Sequence, residues 1–479
     1  MENRSGFAFV VLVVSLVLAL IGDVLLRSTP WGINFPIWTA LLGICAAGLI
    51  RKSPVSISRA ALWMSLPIVL FSLCFFWRDS DELKIANGTA IFAALGVLAL
   101  RAQKGKIHIA GIVNYTVELI AIWFLFTADF AKLVTKDLNI KGDSTIGIRA
   151  TGFVRGLIIA MPLLLLFGAL FAYGDEQFAK WITNAFTFNF ADVLLDVVLF
   201  AVLALFVGGF LRRLVLNSQE PTVPPVQADV RKPITLGTIE LATIFFSLDI
   251  LFAAFVAIQF RYFFWGTAQV HVAQGLTYAE YARSGFFELT VASALTLPVV
   301  LGFHALVPQA SAKAKHVFSA LSSILIACDL IVLLSAVQRM RLYIGAFGLS
   351  ELRLFTTAFI IWLAVILVWL CWTVIRHRRE RFAFGALVAG YAIILGLNYA
   401  NPDALIAKTN LDPSKHVDAQ YLSGLSLDAA PVIVANLSQI PPKEQAVLKK
   451  QLTKWSAEVN GDDWRSLNLS RIRFARLKK

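Results

Sequence analysis

Four aspartates inside long apolar runs are candidates for function, because a carboxylate is costly to bury there and is often functional. Asp249 and Asp329 lie near the middle of their runs, and Asp192 and Asp196 are spaced i, i+4 on one face of a helix. A carboxylate at such a position is protonated, paired or in contact with water. Asp249 and Asp329 could therefore serve a proton- or cation-coupled path. Alternatively, they could be paired with Arg155 or with a hydroxyl group of a neighbouring helix.

A second group of candidates combines arginine, tyrosine and glutamate near the helix ends and loops that the topology below places on the outer side. Arginine presents a planar fork of donors to phosphate, and tyrosine offers a stacking or hydrogen-bonding edge, so these residues could bind an anion or a lipid headgroup. The alternative is anchoring at the membrane interface, with the arginines paired to glutamates. The candidates are Arg261, Arg283, Arg339, Arg341, Arg353, Tyr278, Tyr281, Tyr343, Glu280 and Glu288.

The sequence contains no pattern typical of a cofactor site or a metal site. The six histidines are scattered without the spacing of metal ligands. All four cysteines lie inside apolar runs, which indicates small buried side chains rather than a disulfide framework. The sequence also contains no Gly-rich phosphate loop and no nucleophile elbow. We therefore expect no cofactor and no metal, and whether the chain is an enzyme stays open.

The composition indicates a membrane protein. Hydrophobic residues make up 58% of the 479 residues and charged residues 15%, and the mean hydropathy is +0.73. So few charges could not cover the surface of a soluble protein of this length. The net charge of +13 is typical of basic cytoplasmic loops. It does not indicate a nucleic-acid partner, because no basic stretch outside the apolar runs carries interleaved aromatic residues.

The apolar runs predict an all-α bundle of about 11–12 membrane-spanning helices with a small, soluble, helical C-terminal tail. The chain divides into an N-terminal membrane region (1–211), a Pro-rich cytoplasmic linker (212–238), a C-terminal membrane region (239–399) and the tail (400–479). The predicted spans lie near 7–26, 32–50, 60–77, 85–100, 152–172, 190–211, 239–263, 286–307, 316–338, 354–375 and 383–399.

One further run, 107–131, is ambiguous because it is apolar enough to cross but carries Asn114, Glu118 and Asp129. If this run does not cross and the N-terminus is cytoplasmic, most of the lysines and arginines before residue 400 fall in inner loops, as the positive-inside rule requires. If the run crosses, every later loop changes sides and that bias is lost. We therefore predict that 107–131 lies along or dips into the inner leaflet and that the tail is periplasmic.

The tail has the pattern of short amphipathic helices. Asp428 is a plausible N-cap with Pro431 in the first turn that follows, and Pro441 and Pro442 open the next helix. That helix carries one apolar stripe, formed by Val447, Leu448, Leu452 and Trp455. A segment of about 80 residues can form only a small core, so we expect the tail to pack against the membrane region.

Three stretches resemble the motifs of a known family. They are TYAEYARSGFFEL (277–289), RMRLYIGAFGLSELR (339–353) and NPDALIAKTNLD (401–412), the last followed by YLSGLSLDAAP (421–431). Their length and order resemble an uncharacterised bacterial family, catalogued as a domain of unknown function (number forty-one seventy-three), over about 239–431. The resemblance implies a multi-pass protein of the bacterial inner membrane. It implies no activity and no catalytic residue.

Three classes of function fit these features. Transport or handling of a small ion or lipid-linked solute explains the many helices and the intramembrane acids, and we favour it. An envelope sensor or assembly partner explains the tail. A membrane enzyme acting on a lipid-linked substrate would resemble the chain in outline, but the first outer loop (27–31) is too short for its usual acidic residues. The expected partners are the lipid bilayer, an anionic lipid or small solute, and a protein at the tail.

Overall fold

The computed structural model describes residues 2–27, 30–53, 57–101, 112–138, 190–216, 236–264, 286–308, 311–376, 378, 381–412, 417–461 and 463–477. Within these ranges the chain forms helices and no strand, which confirms the predicted all-α class. Nine of the described helices are long and apolar enough to cross a bilayer, by length and composition. The chain is therefore a multi-pass membrane protein. The predicted span 152–172 lies outside the described residues.

The N-terminal half packs around one apolar core. Its elements are α1 (Glu2–Leu26), α2 (Asn34–Lys52), α3 (Arg59–Leu62), α4 (Ser65–Trp77), α5 (Asp81–Arg101), α6 (Ile112–Lys132, continued by a π-helical turn at Leu133–Asp137) and α7 (Phe190–Val215). A helix satisfies its own backbone hydrogen bonds, so these apolar runs can lie in hydrocarbon. Phe71, Phe126 and Phe210 are among the buried side chains that hold the helices together.

The C-terminal half forms a second core. Its elements are α8 (Thr238–Phe264), α9 (Phe286–Leu306), α10 (Ala312–Phe347), α11 (Glu351–Ile375) and α12 (Phe382–Ala400). Ser311 caps α10, and Ser350 caps α11 by accepting from Arg353 N at 3.4 Å. Gly348, between these two helices, has a φ of +76°, and a Cβ there would lie 2.5 Å from Asn410 Oδ1. Glycine is thus required where α10 turns into α11.

The tail forms a third, smaller core together with Leu349 and Leu354, around the start of α11. Its helices are α13 (Pro402–Asn410), α14 (Ala419–Ser423), α15 (Ala430–Asn436), α16 (Pro442–Gly461) and α17 (Leu469–Leu477). In α16 the predicted apolar stripe faces this core, because Leu448 and Trp455 are buried while Val447 and Leu452 are partly buried against them. The stripe is therefore covered within the chain and does not form an open docking face.

The prediction that Asp428 is an N-cap is wrong. Ser426 caps the 3-10 turn Leu427–Ala429, where its Oγ accepts from Asp428 N at 3.2 Å. Asp428 lies inside that turn and is 3% exposed. Its carboxylate points to the membrane region, as described below. Pro431 does occupy the first turn of α15, and α16 begins at Pro442.

The described helix ends form two opposite faces of the bundle. The tail packs on one face, which we call the tail face: Ile33 N donates to Leu467 O at 2.9 Å and Asp79 N donates to the Asp428 carboxylate at 2.8 Å. The end of α12 lies at the same face, because Arg78 Nε donates to Asn398 O at 2.7 Å. The other, which we call the basic face, holds the C-terminal ends of α2 and α7, where Ser53 Oγ donates to Val215 O at 2.7 Å. Its basic residues include Arg51, Lys52, Arg59, Lys132, Lys136, Arg212, Arg213, Lys313, Lys315 and Arg376.

The N-terminus and the tail lie on opposite faces. Ser5 Oγ donates to Leu138 O at 3.3 Å, which places the start of α1 at the basic face, beside the end of α6. The C-terminal end of α5 is at the same face. Leu98, near that end, lines one cavity together with Leu214, which is near the C-terminal end of α7. Helices α5 and α6 therefore both end at the basic face. Whether the run 107–131 enters a bilayer stays a prediction.

Candidate functional site

Asp249 is a buried acid of the C-terminal half that has no hydrogen-bond partner among the described residues. It lies on α8, one turn beyond Phe245, whose ring packs against Phe303 and Phe318 at centroid distances of 5.6 and 5.1 Å. The residue is 6% exposed, and neither carboxylate oxygen has a hydrogen-bond partner among the described residues. Arg155, one of the partners expected from the sequence, lies outside that part of the chain.

Asp329 lies on α10 and is fully buried. One carboxylate oxygen accepts a hydrogen bond from Ser293 Oγ of α9 at 2.6 Å, and the other has no partner among the described residues. The hydroxyl of a neighbouring helix, expected from the sequence as the structural alternative, is therefore present at Asp329. One hydrogen bond leaves most of the acceptor capacity of a carboxylate unused.

Helices α8 and α10 bring the two acids into one region. Both helices run from the basic face to the tail face, and Ser335 Oγ of α10 donates to Gln259 Oε1 of α8 at 2.9 Å. Asp249 and Asp329 both lie close enough to the thiol of Cys328 to interact with it electrostatically. The described part of the C-terminal bundle thus contains a polar seam, formed by Asp249, Gln259, Ser293, Asp329 and Ser335.

The other two intramembrane acids, Asp192 and Asp196, are in the first turns of α7. Their side chains lie outside the described part of the structure, so the prediction that they share a face stays a prediction. Asp23 of α1, by contrast, forms an ion pair with Arg27.

Among the arginine and tyrosine candidates, the structure brings Arg353 and Tyr343 together. The guanidinium of Arg353 stacks 4.2 Å from the ring centroid of Tyr343, and its Nη1 donates to Phe347 O at 3.1 Å and Gly348 O at 2.6 Å. These contacts support an anchoring role for Arg353 at the α10–α11 turn. Beside it lies a cavity of about 680 Å³, which Asn410 and Tyr421 help to line.

The remaining candidates differ in exposure, and several lie outside the described residues. Arg339 is half-buried, whereas Arg341 and Glu288 are exposed. Arg261 lies near the end of α8, and its side chain is outside the described part. Four more candidates lie outside the described residues altogether: Tyr278, Glu280, Tyr281 and Arg283. The proposed anion-binding surface therefore stays a prediction.

A buried polar network between the tail and the turn that joins α4 to α5 was missed by the sequence analysis. The Asp428 carboxylate accepts from Asp79 N at 2.8 Å, from Ser80 N at 3.1 Å and from Ser470 Oγ. Arg78 Nη1 lies 3.6 Å from Asp428 Oδ1. Burial lowers the pKa of Arg78, and the nearby charge of Asp428 opposes that change. The turn and the tail thus hold each other by charge-assisted hydrogen bonds.

The same network extends through Asp79. Asn468 Nδ2 donates to Asp79 Oδ1 at 2.6 Å, Arg471 Nε lies 3.2 Å from the same oxygen, and Lys84 Nζ lies 3.7 Å away. Asparagines inside apolar runs are a sequence signal for one part of this network, which Arg78 joins through its hydrogen bond to Asn398 O. Asn87 and Asn398 stand in apolar runs, and their side-chain amides exchange two hydrogen bonds, at 3.1 and 2.8 Å.

Asp403, at the start of α13, is a buried acid of the tail whose hydrogen bonds reach only one of its carboxylate oxygens among the described residues. It is fully buried and accepts from Ser426 N at 3.1 Å and from Ser426 Oγ, while its Oδ1 has no partner among the described residues. Burial raises the pKa of Asp403 to about 6, and the Ser426 hydrogen bond opposes this rise. Asp403 is therefore a group of the tail that titrates in the range of ordinary buffers.

A second ion cluster closes the basic face. Arg212 of α7 is 1% exposed and pairs with Asp129 of α6 at 3.0 Å and with Asp137 of the π-helical turn at 2.7 Å. Arg213 also pairs with Asp129. Asp129, one of the two acids that made the run 107–131 ambiguous, is thus neutralised by protein contacts. Among the residues that the structure describes, no group of three His, Cys, Asp or Glu could hold a metal ion.

Helices of this length, with buried acids inside and a helical tail on one face, define an all-α multi-pass membrane protein. Residues 65–436 match the model of a family described as Domain of unknown function (DUF4153), so the chain belongs to that family. The match includes Arg78, Asp249, Asp329, Asp403 and Asp428. No curated protein and no solved structure matches the chain.

Proposed function

We propose that the chain transports a proton or a small cation through its C-terminal bundle, with Asp249 as the group that binds it. The observation that carries this proposal is the burial of Asp249 without a hydrogen-bond partner for either oxygen among the described residues. A carboxylate in hydrocarbon is costly, and such residues mark ion paths and proton relays in membrane proteins. The polar seam extends the path beyond a single residue.

Asp329 is the second group on this path. Its free oxygen can accept a proton or ligate a cation, while the Ser293 hydroxyl holds the other oxygen in place. Carboxylate and hydroxyl oxygens suit both a proton relay and a small hard cation. Ser335 and Gln259 lie further along the same two helices, towards the tail face.

We further propose that the basic face is the cytoplasmic side of a bacterial inner membrane and that the tail is periplasmic. The basic helix ends on that face support this orientation by the positive-inside rule. Paired reporter fusions after Lys479, one active only in the periplasm and the other only in the cytoplasm, test it. We expect activity of the periplasmic reporter, and activity of the cytoplasmic reporter would reverse the orientation.

The transport proposal is tested on the full chain reconstituted into liposomes that contain a pH-sensitive dye. An imposed proton or sodium gradient should change the internal pH faster with wild-type protein than in empty liposomes. We expect Asp249→Asn to abolish the difference and Asp329→Asn to reduce it. Asp23→Asn is the matched control, because Asp23 is also a buried acid of a long apolar helix but is paired with Arg27. Wild-type rates in Asp249→Asn would overturn the proposal.

A second candidate function is docking of a protein partner on the tail. The surface for it would be the charged outer side of α16, which exposes Lys449, Lys450 and Lys454. Deleting residues 400–479 would not test this role, since it would also strip Arg78 and Asp79 of their buried partners. Replacing both Lys449 and Lys450 by Glu tests it. If the double variant loses the activity of the protein in cells but keeps the wild-type unfolding midpoint, docking on this face is favoured. Full activity of the double variant would exclude docking on this face.

A further inference from the structure

A groove opens on the outside of the N-terminal bundle, between α2 and α4. Its volume is about 500 Å³, within the range of clefts that bind small ligands. Its floor is formed by α5 and α7 and is closed by the apolar side chains of the first core. The residues that shape it include Gly43, Ala47, Ile68, Val69, Leu98 and Leu214. None of the polar seam residues takes part in it.

The interior of the groove offers only hydrocarbon contacts to a ligand. Three hydroxyl groups line it, and each donates its proton to a backbone carbonyl three or four residues earlier in the chain: Thr39 to Phe35 O at 3.1 Å, Ser65 to Leu62 O at 2.6 Å and Ser72 to Val69 O at 2.9 Å. All other lining side chains are apolar. A polar ligand would lose its hydrogen bonds with water there and gain none from these hydroxyl protons. The groove therefore suits an alkyl chain.

The groove faces the lipid side of the bundle. Ile44, Val69 and Leu73 line it and are each more than half exposed. They belong to apolar helices of the membrane region, so the medium around them is the hydrocarbon of the bilayer. At Gly43 a Cβ would meet no atom within 4 Å, so the groove approaches the α2 backbone closely at this point.

Positive charge stands at the end of the groove that reaches the basic face. Ile50 lines the groove, and Arg51 and Lys52 follow it directly. On the other wall, Arg59 precedes the lining residue Leu62 by one helical turn. All three basic side chains are exposed. Arginine and lysine at the membrane surface attract anionic headgroups and hydrogen-bond to phosphate.

We propose that this groove binds one acyl chain of an anionic phospholipid, whose phosphate is held by Arg51, Lys52 and Arg59. The apolar interior accounts for the chain and the basic mouth for the headgroup. The length of the groove along α2, from Pro36 to Ile50, corresponds to about 20 Å of helix, which matches an extended acyl chain within one leaflet. The site does not depend on the transport proposal, because it lies in the other bundle.

The test uses the full chain in phosphatidylcholine nanodiscs that contain a trace of photoactivatable phosphatidylglycerol, with the reactive group in the acyl chain. A parallel sample contains the same group in phosphatidylcholine. After illumination, the labelled peptides are identified by mass spectrometry. We expect peptides of α2 and α4 to be labelled by the phosphatidylglycerol probe well above the phosphatidylcholine probe. Equal labelling by both probes, or labelling spread evenly over all exposed helices, would overturn the proposal.

Two matched glycines of α2 sharpen the test. Gly43→Leu places a side chain inside the groove, whereas Gly48→Leu places one on the same helix but outside the lining. A Cβ meets no atom within 4 Å at either position, so both variants should fold. We expect Gly43→Leu to reduce phosphatidylglycerol labelling of α4 to the phosphatidylcholine level and Gly48→Leu to leave it unchanged. Unchanged labelling in Gly43→Leu would overturn the assignment of the chain to this groove.

The proposed contacts between the basic residues and the lipid phosphate are tested separately. In this experiment unlabelled phosphatidylglycerol competes with the photoactivatable probe. In the Arg51→Gln variant, about fivefold more unlabelled lipid should be needed to reduce the labelling by half, since one basic residue near an anionic surface contributes about 1 kcal/mol. Lys449→Gln, an exposed lysine of the tail, should have no effect. An equal effect of the two substitutions would show that only net charge matters and would overturn the phosphate site.

Discussion

The carboxylate of Asp428 lies between the tail and the membrane region and accepts from two backbone amides and a serine hydroxyl, with Arg78 beside it. The carboxylate of Asp249, buried to a similar degree in the C-terminal bundle, has no such partner among the described residues. One chain thus contains two kinds of buried acid. The tail network and the Arg212 cluster of the basic face are of the first kind, and the polar seam is of the second.

The difference separates structural charges from charges that can change state. A buried carboxylate with several donors is compensated by them, and removing one partner leaves another charge uncompensated. A buried carboxylate without donors gains by binding a proton or a cation. The tail network therefore fixes the tail to the bundle, whereas the polar seam is available for exchange. Four substitutions test this contrast, in order of decreasing effect on stability.

The largest effect is expected for Asp428→Ala. The substitution leaves Arg78 buried without its acid and frees two backbone amides, so the free energy of unfolding should fall by about 3–5 kcal/mol. Thermal or denaturant unfolding of the purified chain in detergent measures it. Asp418→Ala is the control, because this exposed acid only caps α14 and should cost about 1 kcal/mol. A loss at Asp428 no larger than the control would contradict the structural role of the network.

A pH-dependent effect is expected at Asp403. Its folded pKa of about 6 lies above the ordinary value of 3.8, so the folded state binds the proton more tightly than the unfolded state. The contribution of Asp403 to stability is therefore greatest below about pH 4 and declines by about 3 kcal/mol as the pH rises through 6. Unfolding midpoints of wild type and Asp403→Asn between pH 4 and 7 check it. If the unfolding midpoints of the two proteins depend equally on pH, the prediction is wrong.

A smaller loss is expected for Ser293→Ala in the polar seam. The Asp329 oxygen that accepts from Ser293 would lose its donor, at a cost of about 1–3 kcal/mol if the acid stays charged. Ser323→Ala is the control, because its hydroxyl donates only to Ser319 O of its own helix. If both variants unfold at the same midpoint, the hydrogen bond to Asp329 contributes nothing to stability.

The smallest change is expected for Asp249→Asn, which should alter the free energy of unfolding by less than about 1 kcal/mol because no partner among the described residues is left unpaired. The same variant should lose the transport described above. Stability measured in parallel with the liposome assay therefore separates the two kinds of buried acid. A destabilisation as large as that of Asp428→Ala would show that Asp249 is a structural charge and would remove the contrast.

The fold class followed from the sequence because hydrophobic runs and helical periodicity are local properties. The apolar runs that lie in the described ranges form helices, and the stripe of α16 is correctly oriented towards a core. The N-cap prediction at Asp428 failed because local rules count only neighbours along the chain. Ser426 caps the turn, and the donors to the Asp428 carboxylate come from Asp79, Ser80 and Ser470, which are distant in the sequence.

The candidate site was predictable to a smaller extent. Asp249 and Asp329 stand out in the sequence because an acid in an apolar run is rare. The buried turn at Arg78, Asp79 and Ser80 does not, since a short polar stretch between two apolar runs has the pattern of a solvated loop. Its burial depends on the tail that covers it, and no local property of the turn reveals that cover.

The sequence alone therefore determined that the chain is helical, that it lies in a membrane and that a distinct tail follows the last apolar run. These features depend on burial of apolar surface and on backbone hydrogen bonds within each helix. The tertiary structure alone decided which acids are neutralised by partners. The reason is physical: the Asp428 carboxylate meets the amide of Asp79, 349 residues away along the chain, and such a contact exists only when the whole bundle has assembled.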